Sequence, residues 1–362
     1  MTIERTSTQK ALMDEHGLAW PKADEGAASR TQASLRTFQE NLSDDRADAA
    51  KAVQRLLSSG HGEAMTALAE HWARVNSHFT VTAEAAGKIA AEILNCGDEI
   101  AVHKDMALGV VERIAPGLPA PVVTPGGIRP PLDVAQQGVV QAARAELGSI
   151  EQAAFTETGF RLTAARTDPG VAGLPNIAAD LSGSGAVGGV APGIAGGGVA
   201  PGIAGGAGVA GGGGSGIGPR VVGGGIAGGA GAIGAGQHAP DLPPDRLMEH
   251  GGPMVGTPQS FRIDFWEHKR AANRLAEIAD QIAGRTTTSL ARAMYDLEEL
   301  QRSGSLGASV GDGFAPLLDD LDLAARALGH HLNGPLREAV RAAGEDQERT
   351  DDDNKKRFGW MG

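Results

Sequence analysis

The sequence predicts an all-α protein made of two antiparallel helical-hairpin modules joined by a long disordered Gly-rich linker. Three observations lead there. Two separate regions place apolar residues at alternating spacings of three and four, the stripe by which helices pack along their length. Aromatic residues make up only 4% of the chain, with Tyr295 the single tyrosine, and this composition favours helices over sheets. Between the two regions, Gly183 to Gly236 holds 26 of the 54 glycines and one charged residue, Arg220, so this tract cannot close around a core. The organisation expected is a flexible N-terminus over 1–28, an N-terminal helical module over 29–168, and a Gly/Ala/Pro-rich disordered linker over 169–256. A C-terminal helical hairpin over 257–344 and a charged disordered tail over 345–362 complete it.

Leu35, Phe38, Leu42, Ala49, Val53 and Leu56 mark a first helix from about Ser29 to Leu57. SSGHG, residues 58–62, supplies turn chemistry. A second helix follows with Met65, Leu68, Trp72, Val75 and Phe79 on one face, and the seam resumes through Ala86, Ile89, Ile93, Cys96 and Ile100 to Val110 and Ile114. The proline-rich stretch from Pro116 to Pro131 ends that helix. A weaker seam through Val134, Leu147, Ile150 and Ala154 predicts another helix from Leu132 to about Ala165.

The linker states VAPGIAGG twice, at Val190 and Val199, and just upstream GSGAVG at residues 183–188 matches the dinucleotide pattern GxGxxG. That fingerprint needs a strand entering the loop and a helix leaving it, and neither flank fits, so no cofactor is expected. In the C-terminal module, Thr257-Pro258 resembles an N-cap followed by proline at the first helical position. Phe261, Phe265, Ala272, Leu275, Ile282, Ala293, Leu297 and Leu300 then share a face up to Gly304. After a turn read as GSLGASVGDG, a second helix starts near Asp312 and carries Phe314, Leu317, Leu321, Ala325, Leu328 and Leu332. Asn333-Gly334-Pro335 kinks it, with Leu336 and Val340 keeping the register. Seams this long invite a second hairpin as cover, from this chain or from another.

A net charge of −12 argues against nucleic-acid binding, which needs a basic surface. Cys96, the one cysteine, lies on the apolar seam and is expected to be a small buried hydrophobe. The opening MTIERTSTQKALMDE lacks the apolar stretch of a classical leader, and no membrane span is expected. His71 and His78 lie seven apart, and His330-His331 point to different sides of a helix. No zinc spacing, P-loop or nucleophile elbow occurs, so no catalytic or metal site is expected and the histidines are read as solvated or helix-packed. Trp360, near the end, is a possible docking anchor.

SSGHGEAMTALAEHWARVNSHF, residues 58–79, resembles the WxG-type helical-hairpin superfamily of actinobacterial type VII (ESX) secretion substrates. There the second helix opens as GxAAxxFxxxW, and Gly62, Ala64, Leu68 and Trp72 occupy the matching positions, with Ser58-Ser59-Gly60 where W-x-G would stand. The resemblance covers roughly residues 30–115, and the hairpin over 257–344 resembles the same superfamily in length and turn placement. The family's YxxxD/E export signal finds its match in Tyr295 and Glu299, which share a helical face but lie on the first helix of their hairpin. The reading preferred for Tyr295 itself is a tyrosine packing its ring beside the seam. The resemblance implies a non-enzymatic secretion substrate or substrate partner, made in the cytoplasm and exported by a leaderless route. It also implies a protein partner: a small WxG-type heterodimer partner, a second copy of the chain, or the secretion ATPase. Two other readings stay open: the delivery portion of a polymorphic toxin lacking a catalytic domain, and a cytoplasmic helical scaffold.

Overall fold

A computed structural model describes residues 3–60, 62–119, 131–183 and 265–358, and among these every regular element is helical. The repeat VAPGIAGG, residues 184–188 of the GxGxxG match, Thr257-Pro258, Phe261, His61 and Trp360 lie outside the described residues.

The first hairpin joins α2 (Glu25–Ser59) to α3 (Glu63–Ile114). Asp24 caps α2 by accepting from the Gly26 amide, and the chain reverses through Gly60 and Gly62. Every seam residue expected on α2 and α3 is buried, because the three–four spacing keeps one stripe facing the partner helix. At ~1.5 Å per residue the 52 residues of α3 span roughly 78 Å, well beyond the end of α2.

That overhang is covered by elements composition does not announce. α1 (Ser7–His16) lies in the segment expected to be flexible, closed by a Thr6–Gln9 capping box and by Gly17 in the left-handed region. Its Leu12 and Met13 join Val110, Val111 and Ile114 of α3 with Val140, Leu147 and Ile150 of α4 (Val134–Thr167) in a distal core. Val134 opens α4 but faces solvent, so the α4 seam begins later than its apolar residues suggest. A short α5 (Pro169–Ala172) and α6 (Leu174–Gly183) follow, in place of the linker expected from residue 169. Leu174, Ile177 and Leu181 form a buried stripe at helical spacing and hold α6 against α3 and a later helix, α9 (Ser305–His331).

The second hairpin comprises α7 (Phe265–Gln281), α8 (Thr287–Arg302), α9 (Ser305–His331) and α10 (Arg337–Phe358). A π-turn at Ile282–Thr286 joins α7 to α8, and another at Leu332–Leu336 joins α9 to α10. The second is the kink expected at Pro335, which lacks an amide donor and whose ring needs the wider turn. In the first, the Thr287 and Thr288 hydroxyls donate to the Ala283 and Gly284 carbonyls at 2.6 and 2.7 Å, a side-chain competition that bends helices. The reversal is only Ser303-Gly304. α9 starts at Ser305, not near Asp312, because Leu306 and Val310 already reach the core. The acidic tail, expected to be disordered from 345, stays helical to Phe358.

The two hairpins share one core. α7–α8 lies antiparallel along α2, with the Arg285 side chain at Asp45, Ser289 at Asn41 and Glu299 at Arg30. α9 closes against α3, and the reversal at Gly304 seats on Lys22, whose carbonyl accepts from the Gly307 amide at 3.2 Å. A single apolar cluster runs from Leu35 and Phe79 through Leu297 to Phe314 and Leu332. The seams thus cover each other within one chain.

Candidate functional site

α3, α6 and α9 meet at a pocket of about 480 Å³ lined by His71, Arg74 and His78 of α3, Asp180 and Leu181 of α6, and His331 of α9. His71 belongs to the buried stripe of α3 that also holds Leu68, Trp72 and Val75. His331 is the last residue of α9, turned inward ahead of the π-turn, at 1% exposure. The two rings stack with centroids 4.9 Å apart, and their Nε2 atoms approach to 2.8 Å.

The ends of this contact dictate its protons. The Leu181 carbonyl can only accept, so His331 Nδ1, 3.3 Å away, carries hydrogen. A neutral His331 then offers Nε2 as an acceptor, and His71 Nε2–H must donate to it. His71 Nδ1 is left bare to accept from the Arg74 guanidinium at 3.4 Å, a group that can only donate. The chain Arg74 → His71 → His331 → Leu181 is fully satisfied only when both imidazoles are neutral. Burial lowers the proton affinity of His71, with Arg74 adding to it. Burial, then the neighbouring His71, drives His331 down to about 4. Burial also lowers His78, while Asp180 pulls the other way.

Sequence reasoning placed His330 and His331 on different sides of a helix, which holds, but it could not pair His71 with a residue 260 positions away. Among the described residues no group of three or more His, Cys, Asp or Glu is placed to hold a metal ion. Cys96 is fully buried, and burial pushes its thiol up to about 12, far from a nucleophile's range.

A second, open groove of about 530 Å³ runs between the two π-turns, with Ala283, Gly329 and Gly334 among its lining and Asp280, Asn333 and Arg326 beside them. Arg326 is engaged by Asp322 at 2.6 Å.

Gly62 and Ala64 sit at the first reversal, and Leu68 and Trp72 follow within the first three turns of α3. Gly62 precedes α3 at φ +113° and ψ −178°, a region that is essentially glycine's alone. Leu68 and Trp72 are buried and Ala64 is exposed. Tyr295 and Glu299 lie one turn apart on α8. Tyr295 is 59% exposed and does not pack its ring beside the seam. Glu299 is held at 2.7 Å by Arg30, which also reaches Asp296 and Asp24 at 3.4 Å. The acid of this pair is therefore part of the junction between hairpins, and the tyrosine stands free of it.

Compared with known proteins, the chain matches no family model, no curated protein and no solved structure. No described helix is long and apolar enough to cross a membrane.

Proposed function

We propose that this chain is a non-enzymatic substrate, or substrate partner, of a type VII (ESX-like) secretion system, and that it works through helix–helix contacts with other proteins. The observation that carries this reading is the reversal at Gly62. The residues that resemble the WxG-type pattern stand where a hairpin turns, with Gly62 in a conformation that requires glycine and Leu68 and Trp72 on the packed face behind it. The seam that a small WxG-type heterodimer partner would cover is occupied by α7–α9 of the same chain. The protein thus brings its own second hairpin, and a secretion ATPase would read an outer face such as that of Tyr295 on α8.

The test is the level of the protein in culture filtrate and cell lysate of its native host, with and without the pathway's motor ATPase. The reading predicts that the protein disappears from the filtrate and accumulates in the cells when the ATPase is deleted. An extracellular level unchanged by the deletion contradicts it.

A further inference from the structure

We propose that the His71–His331 contact is an acid-released latch, in which protonation of either imidazole detaches α6 from α3 and α9. The hydrogen-bond chain has no place for another proton. A proton added to His331 goes to Nε2, and the 2.8 Å contact then survives only if His71 shifts its own proton to Nδ1. One added to His71 goes to Nδ1, which must then meet the Arg74 guanidinium. Either event leaves a cation in a site 8% exposed at His71 and 1% at His331.

The charged and titratable groups around the pair do little to compensate. Arg74 and His78 face it from α3, His330 acts from the last turn of α9, and each opposes a second positive charge. Asp180 of α6 is the one carboxylate lining the pocket, and it acts on His78. Because the Leu181 carbonyl of α6 is the terminal acceptor, breaking the chain removes a polar contact between α6 and α9. The pull of Asp180 on His78 remains, with the stripe of Leu174, Ile177 and Leu181, which α6 would uncover together with the facing surface of α3 and α9 on leaving.

The direction follows from linkage. A released ring binds a proton near the ordinary 6.5, whereas docked His331 does so near 4, so the released state holds more protons between these values. Docking is fully favoured above 6.5 and weakens as pH falls through that window. At pH 5 a single ring with this shift weakens docking by about 30-fold.

Hydrogen–deuterium exchange on the full chain at pH 7 and pH 5, corrected for intrinsic exchange, reads this directly. Protection over residues 174–181 should drop about 30-fold at pH 5, with a smaller change over 290–300 of α8. In the double variant His71→Gln, His331→Gln the amides can keep the same donor and acceptor order without titrating, so α6 should stay protected at pH 5. Unchanged α6 protection in the native chain at pH 5, or an equal loss in the folded double variant, overturns the proposal. Should that variant not fold, NMR titration of the two native rings decides. Both should stay neutral until α6 protection is lost, and rings that protonate near 6.5 with α6 still protected refute the latch.

Discussion

Both hairpins reverse at a glycine with positive φ, Gly62 at +113° and Gly304 at +144°, and neither glycine supplies a side-chain cap to the helix that follows. Their surroundings differ. A Cβ on Gly62 would meet nothing within 4 Å, whereas one on Gly304 would run into the Lys22 side chain and carbonyl. The glycine of the first reversal answers to local backbone geometry, and the second reversal is a seat on which the hairpins meet. The helices differ in the same way. Those of the first hairpin run without interruption, while each arm of the second is broken by a π-turn. The turn at Ile282–Thr286 puts Arg285 and Thr286 on the buried carboxylate of Asp45, at 2.8 and 2.6 Å. The first hairpin is an uninterrupted pair of helices to which the second is fitted.

The largest effect in this comparison belongs inside the first hairpin. Lys104 and Glu25, each with its side chain 5% exposed, pair at 2.6 Å, and Lys104 also donates to the Ala23 carbonyl. Lys104→Ala strands the Glu25 carboxylate and should cost about 3–5 kcal/mol in denaturant unfolding. Lys104→Met with Glu25→Leu should recover most of it; equal losses for both variants would mean that the pair does not act as a buried unit.

Next come the two glycines. Gly62→Ala should cost about 1–3 kcal/mol from backbone strain alone. Gly304→Ala adds a collision with Lys22 and should exceed it by about 1–3 kcal/mol. Equal losses measured side by side would show that the second reversal does not sit on Lys22.

The smallest expected effect tests the fitted π-turn. Burial raises the Asp45 carboxyl above its ordinary range, and Thr286 and Arg285 offset that. Asp45→Ala leaves the Thr286 hydroxyl without its acceptor and should cost about 1 kcal/mol, while Asp45→Asn, which keeps an acceptor oxygen, should cost less. Equal costs would place the stabilisation in charge and not in the Thr286 contact.

The long seams were legible because a three–four spacing is a property of one helix: Leu35 to Leu56, Met65 to Ile114 and Phe314 to Val340 are buried as the period requires. What sequence reading missed depends on a second element. α1 and α6 are short and flank low-complexity or polar stretches, so composition alone assigns them to flexible tails and linker, although the Leu174, Ile177, Leu181 spacing was there to be read. The start of α9 was obscured by glycines at 307, 311 and 313 that serve close packing. Glu299, half of the YxxxD/E match, meets Arg30 across the junction, and His71, read as solvated or helix-packed, meets His331, and neither partner is near in sequence.

The second hairpin covers the seam of the first within the same chain. Asn41 and Ser289 touch across that junction at 3.1 Å. With Cys96 replaced by alanine, cysteines at 41 and 289 should oxidise at low protein concentration to a monomer with an internal cross-link, seen as faster migration on non-reducing gels. A disulfide-linked dimer, or two thiols that stay reduced while the protein is folded, would contradict the shared bundle.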